Sequence, residues 1–254
     1  MTRIAITGAT GAMGAVVREV ASDRDDIDIG LLVSRSDALE TEASVPVVHP
    51  ASMDSALETN HIDVIVDFTV PSASLTAISA AAQAGVAAVV GTTGFGADEE
   101  RQLRTTSADI PLLLAPNFSR GIQALVAALS VGLEAVPDYD VEVTETHHHR
   151  KRDAPSGTAI RLVEVIEGQR PDTHRVHGRE GEAPRSSTDV GIHARRAGTI
   201  AGEHEVLLAG NDEEIRLSHR AQSRAVFASG ALDAAVWLAD QSPGWYGFDE
   251  VVAV

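Results

Sequence analysis

Apolar runs alternate with alanine-rich stretches through the first half of the 254-residue chain. Strands are predicted over 3–7, 27–34, 61–69, 86–93 and 110–117, and helices over 8–21, 72–85, 97–107 and 119–136. The strands are rich in Val, Ile and Leu on both faces, whereas the segments between them have helical spacing. This order predicts a parallel sheet that is covered by helices on both sides.

The pattern changes after residue 138. Residues 139–148 (YDVEVTETHH) alternate apolar and polar positions, which is typical of a strand with one face in solvent. Further strands are predicted over 189–198, 202–210 and 213–221, with a helix over 157–168. Asn211 and Asp212 separate the last two strands and favour a hairpin. These elements predict a second domain with an open, mostly antiparallel sheet.

Two other segments bear on the architecture. Residues 228–240 (ASGALDAAVWLAD) predict an amphipathic helix whose apolar face packs back on the first domain. Residues from about 169 to 187 show no regular pattern, so we expect an irregular connection there.

The composition narrows the function classes. The chain has no cysteine, which excludes disulfides and thiolate chemistry. Its formal net charge of −17 argues against binding to nucleic acid or to an anionic membrane. Neither a signal peptide nor an apolar run of membrane-spanning length is evident, so we expect a soluble cytoplasmic protein. The many carboxylates and the near absence of lysine favour a salt-rich cytoplasm over an ordinary cytosol.

A glycine-rich turn follows the first predicted strand. The sequence ITGATGAMG places Gly8, Gly11 and Gly14 between a strand and a helix. Glycine there lets the backbone approach a pyrophosphate, which the amino end of the helix attracts. A turn that needs glycine only for its geometry is the alternative, but the strand–helix order favours a dinucleotide site.

The end of the second strand bears on the choice of nucleotide. A carboxylate at this position hydrogen-bonds the ribose 2′-hydroxyl of NADH, but this chain has Ser34 and then Arg35. An arginine beside a small hydroxyl side chain suits a 2′-phosphate, so we expect NADPH to be favoured. Asp37 is close enough in sequence to reach a ribose, which keeps NADH as an alternative.

Two more loops follow predicted strands. Residues 91–94 (GTTG) and 115–119 (APNFS) are expected at the carboxyl edge of the parallel sheet, where such folds bind ligands. Asn117, or the hydroxyls of Thr92 and Thr93, are candidates to hold a nicotinamide. Ordinary turn chemistry is the alternative for both loops.

The segment THHHRKRDAPSGTAI, residues 146–160, combines basic residues with a helix start. Lys151 is the only lysine of the chain, whereas the other 19 basic residues are arginines. Ser156 is a predicted N-cap, and the amides of Gly157 and Thr158 behind it form an anion site. A lysine can release a proton and an arginine cannot, which gives a reason for one retained lysine.

Three histidines precede this lysine. His147 and His148 end the predicted strand with their side chains on opposite faces, so one can carry a proton while the other contacts a substrate. A metal site is an alternative, but adjacent residues seldom converge on one ion, and we expect no metal. A solvated basic loop without chemistry is a second alternative, which the anion site behind it disfavours.

These motifs together resemble the dihydrodipicolinate reductase family. The segment ETHHHRKRDAPSGTA is similar to the family signature. GATGAMG, VVGTTG, APNFSRGI, RRAGTIAGEHEV and LSHRAQSRAVFASGALDAAVWL match in the same order over nearly the whole chain. The resemblance implies an α/β fold with a Rossmann-type dinucleotide-binding domain over 1–119 and 222–254. It also implies an α+β substrate-binding and tetramerisation domain with an open mixed sheet over 120–221.

The resemblance also implies an activity. The chain would use NADPH or NADH to reduce 4-hydroxy-tetrahydrodipicolinate, a small cyclic imine dicarboxylate, through dihydrodipicolinate to tetrahydrodipicolinate. This step belongs to the diaminopimelate route to lysine, and the enzyme would be a homotetramer.

Roles for individual residues are implied in the same way. His147 becomes the acid–base residue and Lys151 the proton donor. Substrate contacts are implied for His148, Gly157 and Thr158. Cofactor contacts are implied for Gly8, Ala9, Thr10, Gly11, Ala12, Met13, Gly91, Thr92, Thr93, Ala115, Pro116, Asn117 and Phe118. Many relatives have an acidic residue where Ser34 stands, which weakens any preference for NADH.

Two other functions stay open at this point. One is a related two-domain dehydrogenase or imine reductase that acts on another amino-acid precursor. The other is a non-catalytic regulator that senses NADP and binds a partner protein. Such a regulator has no need of a histidine–lysine pair beside an anion site.

Overall fold

A computed structural model describes residues 1–36 and 45–252 of the chain. Its strands are β1 Thr2–Thr7, β2 Ile27–Val33, β3 Val47–Val48, β4 Val64–Asp67, β5 Ala87–Val90, β6 Pro111–Leu114, β7 Asp140–His147, β8 His174–His177, β9 Asp189–Arg196, β10 Gly202–Ala209, β11 Glu214–Ala221 and β12 Gly244–Tyr246. Its helices are α1 Ala12–Ser22, α2 Met53–Thr59, α3 Pro71–Ala84, α4 Ala97–Thr106, α5 Arg120–Ala135, α6 Gly157–Gln169, α7 Ala225–Leu238 and α8 Phe248–Val252.

The described chain divides into two compact units. Residues 1–118 and 224–252 belong to the first unit, and residues 119–223 form the second. These boundaries lie within two residues of those implied by the family resemblance. The second unit is therefore an insertion between two segments of the first.

A seven-stranded parallel sheet organises the first unit, in the order β12-β6-β5-β4-β1-β2-β3. The chain begins near the middle at β1, builds outward to β3, and then returns to place β4 on the other side of β1. Such a reversal of strand order opens a crevice at the carboxyl ends of the strands, where ligands bind. The predicted doubly wound domain is confirmed.

Apolar side chains cover both faces of this sheet. Val17 of α1 and Leu232 of α7 share one core with Ile4 of β1. Leu57 of α2 and Leu103 of α4 lie in the core on the other face. All five side chains are fully buried, and removing this apolar surface from water is the main contribution to the stability of the unit.

Helix α7 differs from the predicted amphipathic helix. No residue along it is fully exposed, and Ala228, Ala231, Leu232, Ala235 and Leu238 have no accessible surface. Its many alanines let neighbouring elements pack closely around most of its circumference. The helix lies in the first unit, as predicted, but as a buried core helix.

Four short elements of the first unit were not predicted, namely β3, β12, α2 and α8. They contain two, three, seven and five residues respectively. Elements of this length show too few repeats for a periodic pattern to be recognised.

A five-stranded sheet organises the second unit, in the order β11-β10-β7-β9-β8. The predicted hairpin is confirmed, since β10 and β11 pair antiparallel from Gly202 with Ala221 to Ala209 with Glu214. The expectation of a mostly antiparallel sheet is wrong, because β9 pairs in parallel with both β7 and β8. The expected irregular connection is also wrong in part, since it contains β8, whose four residues are largely exposed and carry no apolar repeat.

Both helices of the second unit pack on the same face of this sheet. Leu129 of α5 and Leu162 of α6 share a core with Val143 and Val206 of the central strands. The opposite face has no helix of this unit on it and bears polar side chains such as Glu142. This is the one-sided, open mixed sheet expected of the domain.

Candidate active site

The loop between β1 and α1 brings backbone atoms unusually close together. Gly8 has a φ of +64°, which favours glycine. A Cβ atom on Gly14 would lie 2.2 Å from the carbonyl oxygen of Gly8, so a side chain at position 14 is excluded. The first turn of α1 therefore packs directly on the loop, as a dinucleotide fold requires.

The amino end of α1 is open to a ligand. Thr10, Gly11 and Ala12 are exposed and Met13 is half-buried, whereas the side chain of Ala9 is in the core. The first turn of α1 contains no acidic residue, so no side chain of that turn neutralises the positive end of the helix. These features fit the pyrophosphate of a dinucleotide, which would contact Ala9 only through its backbone.

The end of β2 forms the adjoining part of this cleft. The Ser34 hydroxyl lies 3.1 Å from that of Thr10 and accepts a 3.0 Å hydrogen bond from the Ser36 amide. Ser34 is buried by these contacts, while Arg35 is exposed. The cleft has a volume of about 500 Å³ and is lined by Gly8, Thr10, Gly11, Val33, Ser34, Arg35, Ser36, Pro50, Phe68, Thr69, Val70 and Ala73. Asp37 lies outside the described residues.

A buried carboxylate joins three strand ends at this edge of the sheet. Asp67 ends β4 and has no accessible surface. It accepts hydrogen bonds from the hydroxyls of Thr7, Thr69 (2.8 Å) and Thr92 (2.6 Å). The Thr92 hydroxyl also accepts from the Thr69 amide at 2.8 Å. Thr92 is thus engaged inside the protein, and Thr93 is the exposed hydroxyl of its loop.

The two predicted nicotinamide loops contain both core and surface residues. A Cβ atom on Gly91 would lie 2.1 Å from the ring of Phe68, so glycine is needed for this packing. Phe118 is buried against Phe68 and Phe248 with ring centroids 5.8 and 5.2 Å apart, and Ala115 is also buried. A ligand would meet these two residues only through their backbone, whereas Pro116 is exposed and Asn117 half-buried.

In the second unit, the carboxyl end of β7 places an imidazole beside a carboxylate. Nδ1 of His147 lies 2.6 Å from Oε2 of Glu145, two residues earlier on the same face of the strand. Both side chains are buried. Gly202 leaves room for the ring, because a Cβ atom there would lie 3.1 Å from Nε2 of His147.

Three further donors surround the Glu145 carboxylate. Arg196 donates to both of its oxygens at 2.8 Å, and the Ser156 amide donates to Oε1 at 3.0 Å. Burial alone raises the pKa of Glu145, but the hydrogen bonds from His147 and Arg196 outweigh it and hold the pKa at about 2. The carboxylate is therefore ionised at neutral pH and can only accept hydrogen bonds.

The predicted helix cap is confirmed. The Ser156 hydroxyl accepts a 3.2 Å hydrogen bond from the Ala159 amide and lies 3.1 Å from Nε2 of His204. Burial lowers the pKa of His204 to about 3, and the neighbouring His147 acts in the same direction. Gly157, exposed, and Thr158, buried, follow the cap at the amino end of α6, where backbone amides suit an anion.

Lys151 lies on the loop between β7 and α6. Its Nζ atom lies 3.0 Å from Oδ2 of Asp153, and 23% of its side chain is exposed. His148 is half-buried just beyond the end of β7, and its amide donates to the carbonyl of Ile200 at 2.8 Å. The loop thus keeps one ammonium in the same segment as the His147–Glu145 pair.

Sequence reasoning missed the residues that hold this site together. In the sequence Glu145 is only one polar position in a predicted strand, and no motif assigns a role to Arg196 or His204. The one available signal was strand alternation, which places Glu145 on the same face as His147. The partnership with Arg196 spans 51 residues of sequence, and no local pattern encodes it.

The described part of the chain contains neither a metal-binding cluster nor a membrane-spanning helix. Residues 1–36 and 45–252 contain no group of three side chains placed to hold a metal ion. Within those same ranges, no helix is long and apolar enough to cross a membrane.

A doubly wound sheet with an open glycine loop, followed by an inserted unit with an imidazole–carboxylate pair, defines the class of two-domain NAD(P)H-dependent oxidoreductases. Comparison with known families narrows this class. Residues 2–118 match the model described as "Dihydrodipicolinate reductase, N-terminus", and residues 121–252 match "Dihydrodipicolinate reductase, C-terminus". The chain belongs to the dihydrodipicolinate reductase family.

Individual relatives agree over the full length. The chain is 52% identical to the 4-hydroxy-tetrahydrodipicolinate reductase of Haloarcula marismortui, with 99% of each chain covered. It is 48% identical to the protein of the same name from Natronomonas pharaonis, over 98% of this chain and 99% of that one. A solved structure, the dipicolinate-bound dihydrodipicolinate reductase from Paenisporosarcina sp. TG-14, matches with a TM-score of 0.78 at 26% identity over 98% of both chains.

Proposed function

We propose that this chain reduces 4-hydroxy-tetrahydrodipicolinate, through dihydrodipicolinate, to tetrahydrodipicolinate in the diaminopimelate route to lysine. The observation that carries the proposal is the His147–Glu145 pair, in one segment with Lys151 and beside the amino end of α6. A doubly negative ring needs donors for its carboxylates and a proton source for the carbon that becomes saturated. Family membership favours this reductase over a sensing regulator.

The residues of the second unit have separate roles in substrate binding and proton transfer. The amides at the start of α6, with His148 and Thr158, bind the substrate carboxylates. Glu145 engages Nδ1 of His147, so this imidazole exchanges protons through Nε2 and assists the loss of the substrate hydroxyl as water. Lys151 exchanges Asp153 for a substrate carboxylate and gives a proton to the enamine that forms when a ring carbon accepts hydride.

The glycine loop of the first unit holds the cofactor. When bound, the reduced nicotinamide supplies the hydride. The open amino end of α1 binds the pyrophosphate, and the loops after β5 and β6 bind the nicotinamide end. Arg35, exposed beside the buried Ser34, pairs with a 2′-phosphate, so NADPH is preferred and NADH is accepted.

The proposal includes an oligomeric state and a cellular location. The second unit presents a sheet face without a helix of its own, and four copies joined through such faces form a homotetramer. A biosynthetic reductase of this kind works in the cytoplasm. Light scattering of the purified protein tests the subunit count.

An assay tests the activity directly. Aspartate semialdehyde and pyruvate are condensed by a separate synthase, and the loss of NADPH absorbance is followed after this chain is added. We expect rapid loss with this substrate and inhibition by pyridine-2,6-dicarboxylate. Turnover of other cyclic imines with none of this one would overturn the proposal. His147→Gln serves as the inactive variant, and Arg161→Lys, an exposed change on α6, as its control.

A further inference from the structure

Glu145 is saturated with hydrogen-bond donors. Its Oε1 atom accepts hydrogen bonds from the Ser156 amide and one Arg196 nitrogen. Its Oε2 atom accepts hydrogen bonds from Nδ1 of His147 and the other Arg196 nitrogen. The side chain has no accessible surface. Four donors on a fully enclosed carboxylate leave it one orientation, because any rotation breaks at least two of these bonds.

This carboxylate determines which nitrogen of His147 carries the proton. An ionised carboxylate has no proton to give, so the short contact requires a proton on Nδ1. The second nitrogen, Nε2, is then the one that gives or takes a proton. A neutral histidine in water has no such constraint and populates both tautomers.

Arg196 fixes the carboxylate in turn. Residues 147 and 196 are register partners of the parallel strands β7 and β9, which places the guanidinium opposite the imidazole. The same guanidinium donates to the carbonyl of Asp153, in the loop that carries Lys151. The hydrogen bonds of Glu145 and Arg196 therefore link β7, β9, the loop that carries Lys151 and the start of α6.

We infer that Glu145, held by Arg196, is a positioning residue for the reduction: it sets the tautomer and ring orientation of His147 and couples that imidazole to the amino end of α6. This inference rests on the proposed function. Glu145 acts through His147 and does not itself contact the substrate.

A purely structural ion pair makes a different prediction. If Glu145 only balanced the charge of Arg196, removing both charges together would restore both stability and turnover. If Glu145 orients His147, the double variant recovers stability while turnover stays low. Glu145→Gln, Glu145→Asp and the double variant Glu145→Gln/Arg196→Gln separate these cases.

The expected results are specific. Glu145→Gln lowers kcat by about a hundredfold or more, the range of a general acid–base contribution, with an unchanged dissociation constant for NADPH. Nitrogen NMR of imidazole-labelled protein shows a single Nδ1-protonated form of His147 in the original chain and a mixture in the variant. The double variant regains thermal stability but not kcat. Glu167→Gln, which breaks an exposed two-bond pair with Arg175, changes neither the His147 signal nor kcat.

Glu145→Asp keeps the inference testable if the amide variants do not fold. It retains the charge opposite Arg196, but a side chain shorter by one methylene cannot reach both His147 and Ser156. We expect a folded protein with kcat reduced by about tenfold and a mixed His147 signal.

An unchanged tautomer in a folded Glu145 variant, or full recovery of kcat in the double variant, overturns the inference. The NMR spectra need no substrate. An original chain that reduces no imine but keeps His147 in one tautomer therefore overturns the proposed function, and with it the catalytic part of the inference, while the positioning of the ring stands.

Discussion

The Nζ atom of Lys151 lies 3.0 Å from Oδ2 of Asp153, two residues further along the same loop. The ammonium is therefore paired within the chain, and under the proposed function a substrate carboxylate would have to displace a partly exposed aspartate from it. A pair that is easily exchanged suits a group that binds and then releases a charged ring.

Lys151→Arg tests the proton-donor role. The guanidinium keeps the charge and the pair with Asp153 but cannot release a proton, so we expect kcat to fall by about 10²–10⁴-fold. Folding and the dissociation constant for NADPH should stay unchanged. Arg161→Lys makes the reverse exchange on an exposed helix face and should have no effect. Near-normal turnover of Lys151→Arg would refute the role.

Arg35 is expected to decide the choice of nucleotide. Removing it as Arg35→Gln should raise the KM for NADPH by about tenfold or more, since hydrogen bonds to charged groups contribute about 1.5–3 kcal/mol. The KM for NADH should stay the same. Ser34→Asp should act in the same direction and improve NADH use, because it puts a carboxylate at the end of β2. Equal effects of Arg35→Gln on both nucleotides would contradict the assignment.

The buried His204 predicts how stability depends on pH. Its pKa falls from 6.5 to about 3 on folding, so the unfolded chain binds more protons between these values. The free energy of unfolding therefore rises with pH across this window, by up to about 1.4 kcal/mol per pH unit for one proton. His204→Asn should reduce this slope, as measured by urea unfolding at several pH values.

The pH range of this experiment must avoid Glu145. The pKa of that carboxyl is also lowered, from 4.5 to about 2, so its contribution to stability is lost as pH falls through that lower range. Measurements between about pH 5 and 6.5 avoid Glu145, and the difference between His204→Asn and the original chain separates His204 from His219, whose pKa burial also lowers. His177→Asn, which makes the same exchange at an exposed histidine, is the matched control variant. A slope that His204→Asn does not alter would refute the prediction.

Asp67 is expected to support the cofactor edge of the sheet. Asp67→Asn replaces an acceptor with an amide donor that faces threonine hydroxyls, which should lower the free energy of unfolding by about 1–3 kcal/mol. The dissociation constant for NADPH should rise as well, because Thr92 loses its anchor. Asp54→Asn, on exposed surface at the start of α2, is the control. Unaltered stability and binding would show that the three hydroxyls do not depend on the carboxylate.

The net charge of −17 predicts a dependence on salt. Repulsion among carboxylates destabilises the compact state at low ionic strength, and ions screen it. We expect the midpoint of thermal unfolding and the activity to rise as KCl increases from about 0.1 M to about 2 M. Glycerol at matched viscosity is the control. A protein that is most stable at the lowest salt concentration would argue against a salt-rich cytoplasm.

Local patterns predicted the parts of this protein that depend on local physics. The continuous apolar strands predicted the parallel sheet, and Ser156 predicted the start of α6. The glycine spacing predicted the loop before α1, because only glycine fits at position 14 against the backbone of Gly8. Each of these features is determined by residues that are close together in sequence.

Features that depend on distant residues could not be predicted in this way. Glu145 and Arg196 are brought together only when β9 adds to β7 in parallel. The low pKa of His204 arises from burial that no local pattern encodes. The parallel addition of β8 is likewise a property of the folded sheet, since its four residues carry no apolar repeat.

Helix α7 lies in the interior of the first unit, although it follows the inserted unit in the chain. Residues 119–223 are synthesised before α7, so the core of the first unit stays incomplete until the whole inserted unit has been made. The glycine loop is thus synthesised more than 200 residues before the helix that completes the core behind it.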